Sequence, residues 1–298
     1  MKLDISIAFD SEKYLIPQVY LYVQSLKDKI PEDSTLHVTT TRTGDDILKY
    51  ISKNIKSKIY IKPPIENLKS RCSYLLRTME IESDADYVLK TDVDILFLNS
   101  FTELQNLLKS NMDIIIQSEN RRIISDERIE TRLWKAVYKE MGFELPDIRI
   151  PYVEGHELGR PLLNSGAFII KTSKMKELKE KWIELTRLAE KFITYNIHPN
   201  ESSLTAMILC NHWKWMGLHQ WLHFNPIGHF RKGEFPSQEL IENCKLPEEV
   251  FMLHWHKNNW LRHVAKYNPN VQQIIDRVNH LIPSEWWNLP LETYLEKV

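Results

Sequence analysis

Apolar and polar positions alternate from Leu3 to Phe9, with Ile5, Ile7 and Phe9 on one side of an expected strand. From Tyr14 to Leu26 the apolar residues fall instead at helical spacing. Short strands are expected over Leu36 to Thr41 and Lys58 to Ile61, around a helical stretch from Asp45 to Ile55. A helix over Ser70 to Ile81, a long apolar run from Tyr87 to Leu98, a helix over Ser100 to Lys109 and a strand over Met112 to Gln117 continue the alternation. That order predicts an α/β domain with a parallel sheet. The middle of the chain changes character: Asp126 to Met141 reads as a charged amphipathic helix, and Leu145 to Pro161 as a long loop, of a length that is usually functional or mobile. Gly166 to Lys171 returns to strand, followed by a helix over Lys174 to Phe192. Its stripe of Met175, Leu178, Trp182 and Leu185 is read as core packing. Another helical stretch runs from Pro199 to Cys210, and the rest is rich in Trp, His and Asn. The expected division is one domain over residues 1–265 and a helical, Trp-rich extension over 266–298 packed on it.

The run Tyr87 to Leu98 contains two aspartates, Asp92 and Asp94, one residue apart. If the run is one strand, their side chains project to the same side and can meet one partner. Burying unpaired carboxylates costs several kcal/mol each, and a bound cation or basic group is the usual compensation. Carboxylates suit Mg²⁺ or Mn²⁺, whose shell is commonly completed by substrate phosphates. The alternative is a strand that ends at Thr91, with both aspartates in a solvated turn. The apolar residues Ile95 to Leu98 argue against it.

Composition narrows the field. Lysine and arginine (39) nearly balance aspartate and glutamate (40), so no global field favours nucleic acid, and phosphate recognition has to be local. Cys72, Cys210 and Cys244 lack metal-type spacing and fit a reducing compartment. There is no long apolar segment, so neither a signal peptide nor a membrane span is expected, and the expected location is cytoplasmic.

Four ordered motifs carry a family resemblance. Asp10-Ser11-Glu12-Lys13-Tyr14 follows the first strand, Ser73-Tyr74-Leu75-Leu76-Arg77 lies on a helix, Leu89-Lys90-Thr91-Asp92-Val93-Asp94-Ile95-Leu96 holds the aspartate pair, and Leu163-Asn164-Ser165-Gly166-Ala167-Phe168 opens a strand. Together they resemble a GT-A-fold glycosyltransferase, closest to the retaining group related to glycogenin and the bacterial galactosyltransferases (family 8). The resemblance implies a mixed, mostly parallel sheet flanked by helices, a UDP-sugar donor, an Mn²⁺ or Mg²⁺ ion, and transfer with retention to an acceptor hydroxyl. It implies Asp92, Asp94 and His254 as metal ligands, with His256 as the alternative histidine. For the nucleotide and donor it implies Phe9, Asp10, Tyr14, Arg77, Asp92 and Lys257, Asp92 reaching towards the ribose.

Each assignment has a second reading. Tyr14 either stacks on the base or packs in the core. Asp10 accepts from base or ribose, or caps a helix. Arg77 pairs with a carboxylate or phosphate, or lies on a surface. Asn164 offers donor and acceptor to sugar hydroxyls beside a glycine that permits close approach, or forms an ordinary turn. Asn200-Glu201 stands where the family has Asp-Gln; Glu201 either takes the charged role or merely suits a helix N-terminus. Asn164 and Glu201 are thus the catalytic-site candidates. After His254 the chain reaches Lys257 and Trp260 by a shorter path than the family's Gly-x-x-Lys-Pro-Trp. The expected partners are a nucleotide-sugar donor and an acceptor that is a glycan, lipid, protein or small molecule. A sugar-phosphate nucleotidyltransferase is the enzymatic alternative, against which stands the lack of a glycine-rich phosphate loop; a non-catalytic glycan- or nucleotide-binding protein is the other.

Overall fold

The computed structural model describes residues 1–10, 15–68, 75–118, 127–151, 158–191, 199–218, 222–224, 250–255 and 258–284. Its main sheet has seven strands. In spatial order these are β10 (Trp215–Gly217), β6 (Ile114–Ser118), β9 (Leu163–Lys171), β4 (Tyr87–Thr91), β1 (Leu3–Ala8), β2 (Leu36–Thr40) and β3 (Ser57–Ile61). All neighbouring pairs are parallel except those of β9, which runs antiparallel to both β4 and β6. The sheet is therefore mixed and mostly parallel, as the resemblance implies, whereas the alternation of elements alone predicts a parallel one.

Strand residues sort to opposite faces by the two-residue period of an extended chain. Leu89, Ile115 and Ile169 enter one apolar cluster, together with residues of α1 (Leu15–Leu26), α2 (Asp46–Asn54) and α3 (Thr102–Leu108). Their sequence neighbours Val88, Ile114, Ile116, Phe168 and Ile170 enter the other, with α4 (Glu127–Glu140), α5 (Met175–Ala189) and α6 (Pro199–Cys210). The stripe Met175, Leu178, Trp182 and Leu185 is buried in this second cluster, as its spacing predicts.

The run from Tyr87 to Leu98 is not one strand. It breaks after Thr91, and Ile95–Phe97 forms β5 in a separate small sheet with β12 (Met252–His254) and β11 (His223–Phe224). A carboxylate within a sheet buried on both faces would be expensive, so the chain turns at Asp92–Asp94 and leaves both side chains partly exposed, 22% and 18%. Hydrophobicity continues through the break because β5 is itself fully buried. β12 runs antiparallel to β5 with His254 opposite Ile95. A third cluster joins this small sheet to the C-terminal helices α7 (Asn258–Tyr267) and α8 (Pro269–Val278), through Leu96, Leu253 and Trp255 against Leu261, Val271, Ile274 and Ile275.

Three other boundaries differ from expectation. The helix expected to reach Ile81 ends at Arg77, where the Thr78 hydroxyl donates to the Leu75 carbonyl at 2.6 Å. β9 begins at Leu163, three residues early, because Asn164 and Ser165 are already buried. The long loop contains a small ladder, β7 (Ile150–Pro151) with β8 (Leu158–Gly159). No helix among the described residues is long and apolar enough to cross a membrane.

Candidate functional site

β4 delivers Thr91 to the edge of the site, where its hydroxyl meets that of Tyr22 on α1 at 2.6 Å. The turn that follows hangs between two sheets. Asp92 N–H donates to the Gly166 carbonyl on β9 at 2.7 Å, and Trp255 N–H, just after β12, donates to the Asp94 carbonyl at 3.0 Å. Val93, between the aspartates, is buried in the first cluster and pins the turn. Main-chain bonds and one apolar anchor thus fix where both carboxylates start.

His254 arrives from β12, and its Nε2 lies 3.1 Å from Asp94 Oδ1. One potential ligand atom each from Asp92, Asp94 and His254 lie within 4.8 Å of one another. The imidazole fits because position 166 is glycine: a Cβ there would stand 2.6 Å from His254 Cε1 and 2.8 Å from Asn164 Oδ1. Two hard carboxylates and a borderline imidazole form a donor set that fits Mn²⁺ or Mg²⁺. The structure therefore brings together the three residues that the resemblance implies as metal ligands, although they come from two sheets.

Lys90 completes this group and is not among the residues expected from the sequence. It is fully buried near the end of β4, and its Nζ donates to Asp92 Oδ1 at 2.5 Å and to the Ser165 carbonyl. Its signal was a lysine inside an apolar strand two residues before a carboxylate, a spacing that puts both on one side. Burial pushes the Asp92 carboxyl above its ordinary pKa; Lys90 opposes this, the Asp94 charge adds to it, and His254 opposes it.

A second carboxylate sits at the end of β1. Asp10 accepts from the Thr41 amide at 3.1 Å and its hydroxyl at 3.0 Å, and forms an ion pair with Arg77. Arg77 is fully buried and also donates from Nη1 to the Lys62 carbonyl at 2.9 Å, while its Nε has no hydrogen-bond partner among the described residues. Arg77 is therefore no surface arginine. Phe9 is a core residue whose N–H donates to the Thr39 carbonyl at 3.1 Å. Tyr14, His256 and Lys257 lie outside the described residues.

Asn164 is buried at the start of β9, and its Oδ1 accepts from Gly166 N–H at 2.6 Å, so this local side-chain bond lies within the strand rather than in a turn before it. The N-terminal turn of α6 clasps this segment. Asn200 Nδ2 donates to Ser165 Oγ at 2.6 Å, and the Thr205 hydroxyl accepts from Leu163 N–H at 2.8 Å while donating to the Glu201 carbonyl at 2.7 Å. Glu201 itself is buried. Of the tryptophans in the last third, Trp213 and Trp255 are core residues, Trp215 is half-buried, and the placements of Trp221, Trp286 and Trp287 lie outside the described residues.

No family model and no curated protein matches the sequence. Solved structures do resemble it. The galactosyltransferase LgtC, in complex with donor and acceptor sugar analogues, matches 97% of this chain and 99% of its own at 14% identity, with a TM-score of 0.57. Mouse xyloside xylosyltransferase 1 matches 87% of this chain and 99% of its own at 14% identity, with a TM-score of 0.53. The glycosyltransferase GlyE of Streptococcus pneumoniae matches 93% of this chain and 63% of its own at 14% identity, with a TM-score of 0.54. At such identities the likeness is one of architecture, and the chain has the GT-A fold of these glycosyltransferases.

Proposed function

We propose that the protein is a metal-dependent glycosyltransferase that moves a sugar from a nucleoside diphosphate donor, UDP in our reading, to an acceptor hydroxyl with retention, as in the family 8 enzymes it resembles. The observation that carries this is the convergence of Asp92, Asp94 and His254 beside the carboxyl end of a central strand, where open α/β sheets take their ligands. These three residues would hold Mn²⁺ or Mg²⁺. Such an ion supplies Lewis-acid stabilisation of charge on the departing diphosphate.

The chain's own groups do the rest. Asp10, fixed by Arg77 and Thr41, presents a carboxylate of set orientation to donor groups on the base or ribose. The Asn164 amide and the Glu201 carboxylate, on segments tied together through Leu163 and Thr205, would read sugar hydroxyls and align the donor. The transition state would be favoured mainly by positioning and by fixed charge where negative charge develops.

Thermal denaturation with UDP and Mn²⁺ tests the donor reading. A ligand bound only by the folded state raises the melting temperature by mass action. No shift with any nucleoside diphosphate would sink it. A screen of sugar nucleotides for Mn²⁺-dependent hydrolysis then identifies the donor, and Asp94→Asn should abolish that hydrolysis in a protein that still folds.

A further inference from the structure

The buried ammonium of Lys90 has a task that the metal triad alone does not explain. A lysine with no exposed surface is rare unless its charge is paired. Here it is paired inside the cluster: Nζ reaches one oxygen of Asp92 at 2.5 Å and the Ser165 carbonyl, with the Phe168 ring centroid 6.0 Å away. Ser165 adjoins Gly166, whose carbonyl accepts from the Asp92 amide at 2.7 Å. Side chain and main chain of Asp92 are thus both fastened to the first residues of β9. With the imidazole neutral, two carboxylates give the triad a charge of −2, and Lys90 reduces it to −1.

We propose that Lys90 is a positioning residue that acts as a resident counter-cation, balancing the charge of Asp92 when no divalent ion is bound and competing electrostatically with that ion when it is. The proposal rests on the metal reading above. Two cations near one carboxylate repel each other, so lysine and metal are linked antagonistically: each weakens the need for the other. A lysine that served only as a prop for the Ser165 carbonyl would show no such linkage.

The test compares wild type, Lys90→Met, Asp92→Asn and the double variant Lys90→Met/Asp92→Asn, using melting temperatures and Mn²⁺ titration by calorimetry or electron paramagnetic resonance. Lys90→Met should melt several degrees lower without metal, recover a large part of that loss at saturating Mn²⁺, and bind Mn²⁺ about tenfold more tightly than wild type. Equal destabilisation with and without Mn²⁺, or unchanged or weaker affinity, would overturn the proposal. Should Lys90→Met prove too unstable to titrate, the metal-free cycle decides: the double variant should be more stable than Lys90→Met, because the uncompensated carboxylate is gone. A double variant no more stable than Lys90→Met would refute the counter-cation role by itself. Wild type with no Mn²⁺ affinity would instead sink the metal reading, and the antagonism with it.

Discussion

Arg77 and Asp10 form an ion pair in which the guanidinium is fully buried while the carboxylate keeps 15% of its side-chain surface. The arginine's Nη1 is spent on the Lys62 carbonyl, so its geometry is set by protein groups on both sides. Removing one partner of such a pair leaves an uncompensated charge, which costs about 3–5 kcal/mol in buried settings. We expect Arg77→Met to fall at the lower end, because Asp10 retains some water and two bonds from Thr41. Urea unfolding measures the loss. A change below about 0.5 kcal/mol, the range of ordinary surface substitutions, would show the pair to be incidental.

Gly166→Ala should damage the cluster from the backbone side. The new methyl would lie 2.6 Å from His254 Cε1, and the ring is too buried to swing away freely. We expect about 1–3 kcal/mol of destabilisation from overpacking. Mn²⁺ affinity should fall in parallel. Unchanged melting and unchanged Mn²⁺ titration would show that the histidine has room to move.

His254→Ala removes a proposed metal ligand outright. Loss of a residue that merely orients a ligand typically costs 10–100-fold in metal affinity, so loss of the ligand itself should weaken Mn²⁺ binding by at least about tenfold. Calorimetric titration decides. An unaltered affinity would transfer the role to another donor, with His256 the first to examine.

Asp4 provides a pH-dependent contribution to stability well away from the site. Burial raises its pKa, yet bonds from His37 at 2.9 Å, Ser83 at 2.6 Å and the Thr35 amide at 2.8 Å outweigh burial, and the net shift is downward. A lowered folded-state pKa means that the stabilisation is present above the unfolded carboxyl value of about 4 and is lost as pH falls through the folded value. Asp4→Asn should cost about 1–3 kcal/mol at neutral pH, since its NH₂ must face a donor, and should flatten the acid limb of the stability curve. Denaturant titrations at pH 7 and pH 3 test both parts; parallel curves for the two proteins would remove Asp4 from the account.

The periodic parts of the fold are the legible ones. β1, β2 and β4 announce themselves as apolar-rich runs because they are buried throughout, and α5 as a stripe because only one of its faces is. The break at Asp92 is not legible, since β5 is as apolar as β4 and only the partner sheet differs. Asp92, Asp94 and His254 could be named from chemistry and resemblance, but that His254 sits against Gly166 depends on a contact across the fold. Lys90 is visible as an anomaly, a cation in a strand two residues before a carboxylate, but its second partner, the Ser165 carbonyl, is a contact across the fold. The role of Arg77 depended on knowing that Asp10 and the Lys62 carbonyl flank it.

The separation of β5 from β4 also bears on synthesis. Asp92 and Asp94 leave the ribosome well before His254 and the β12 segment that carries it, and the helices α7 and α8 that cover them follow later still. The cluster is a product of late chain closure between elements remote in sequence, the kind of contact that forms slowly. A nascent chain could assemble most of the seven-stranded sheet and still lack the complete proposed cation site. The proposed capacity to hold metal at all three residues would thus await the pairing of β12 with β5.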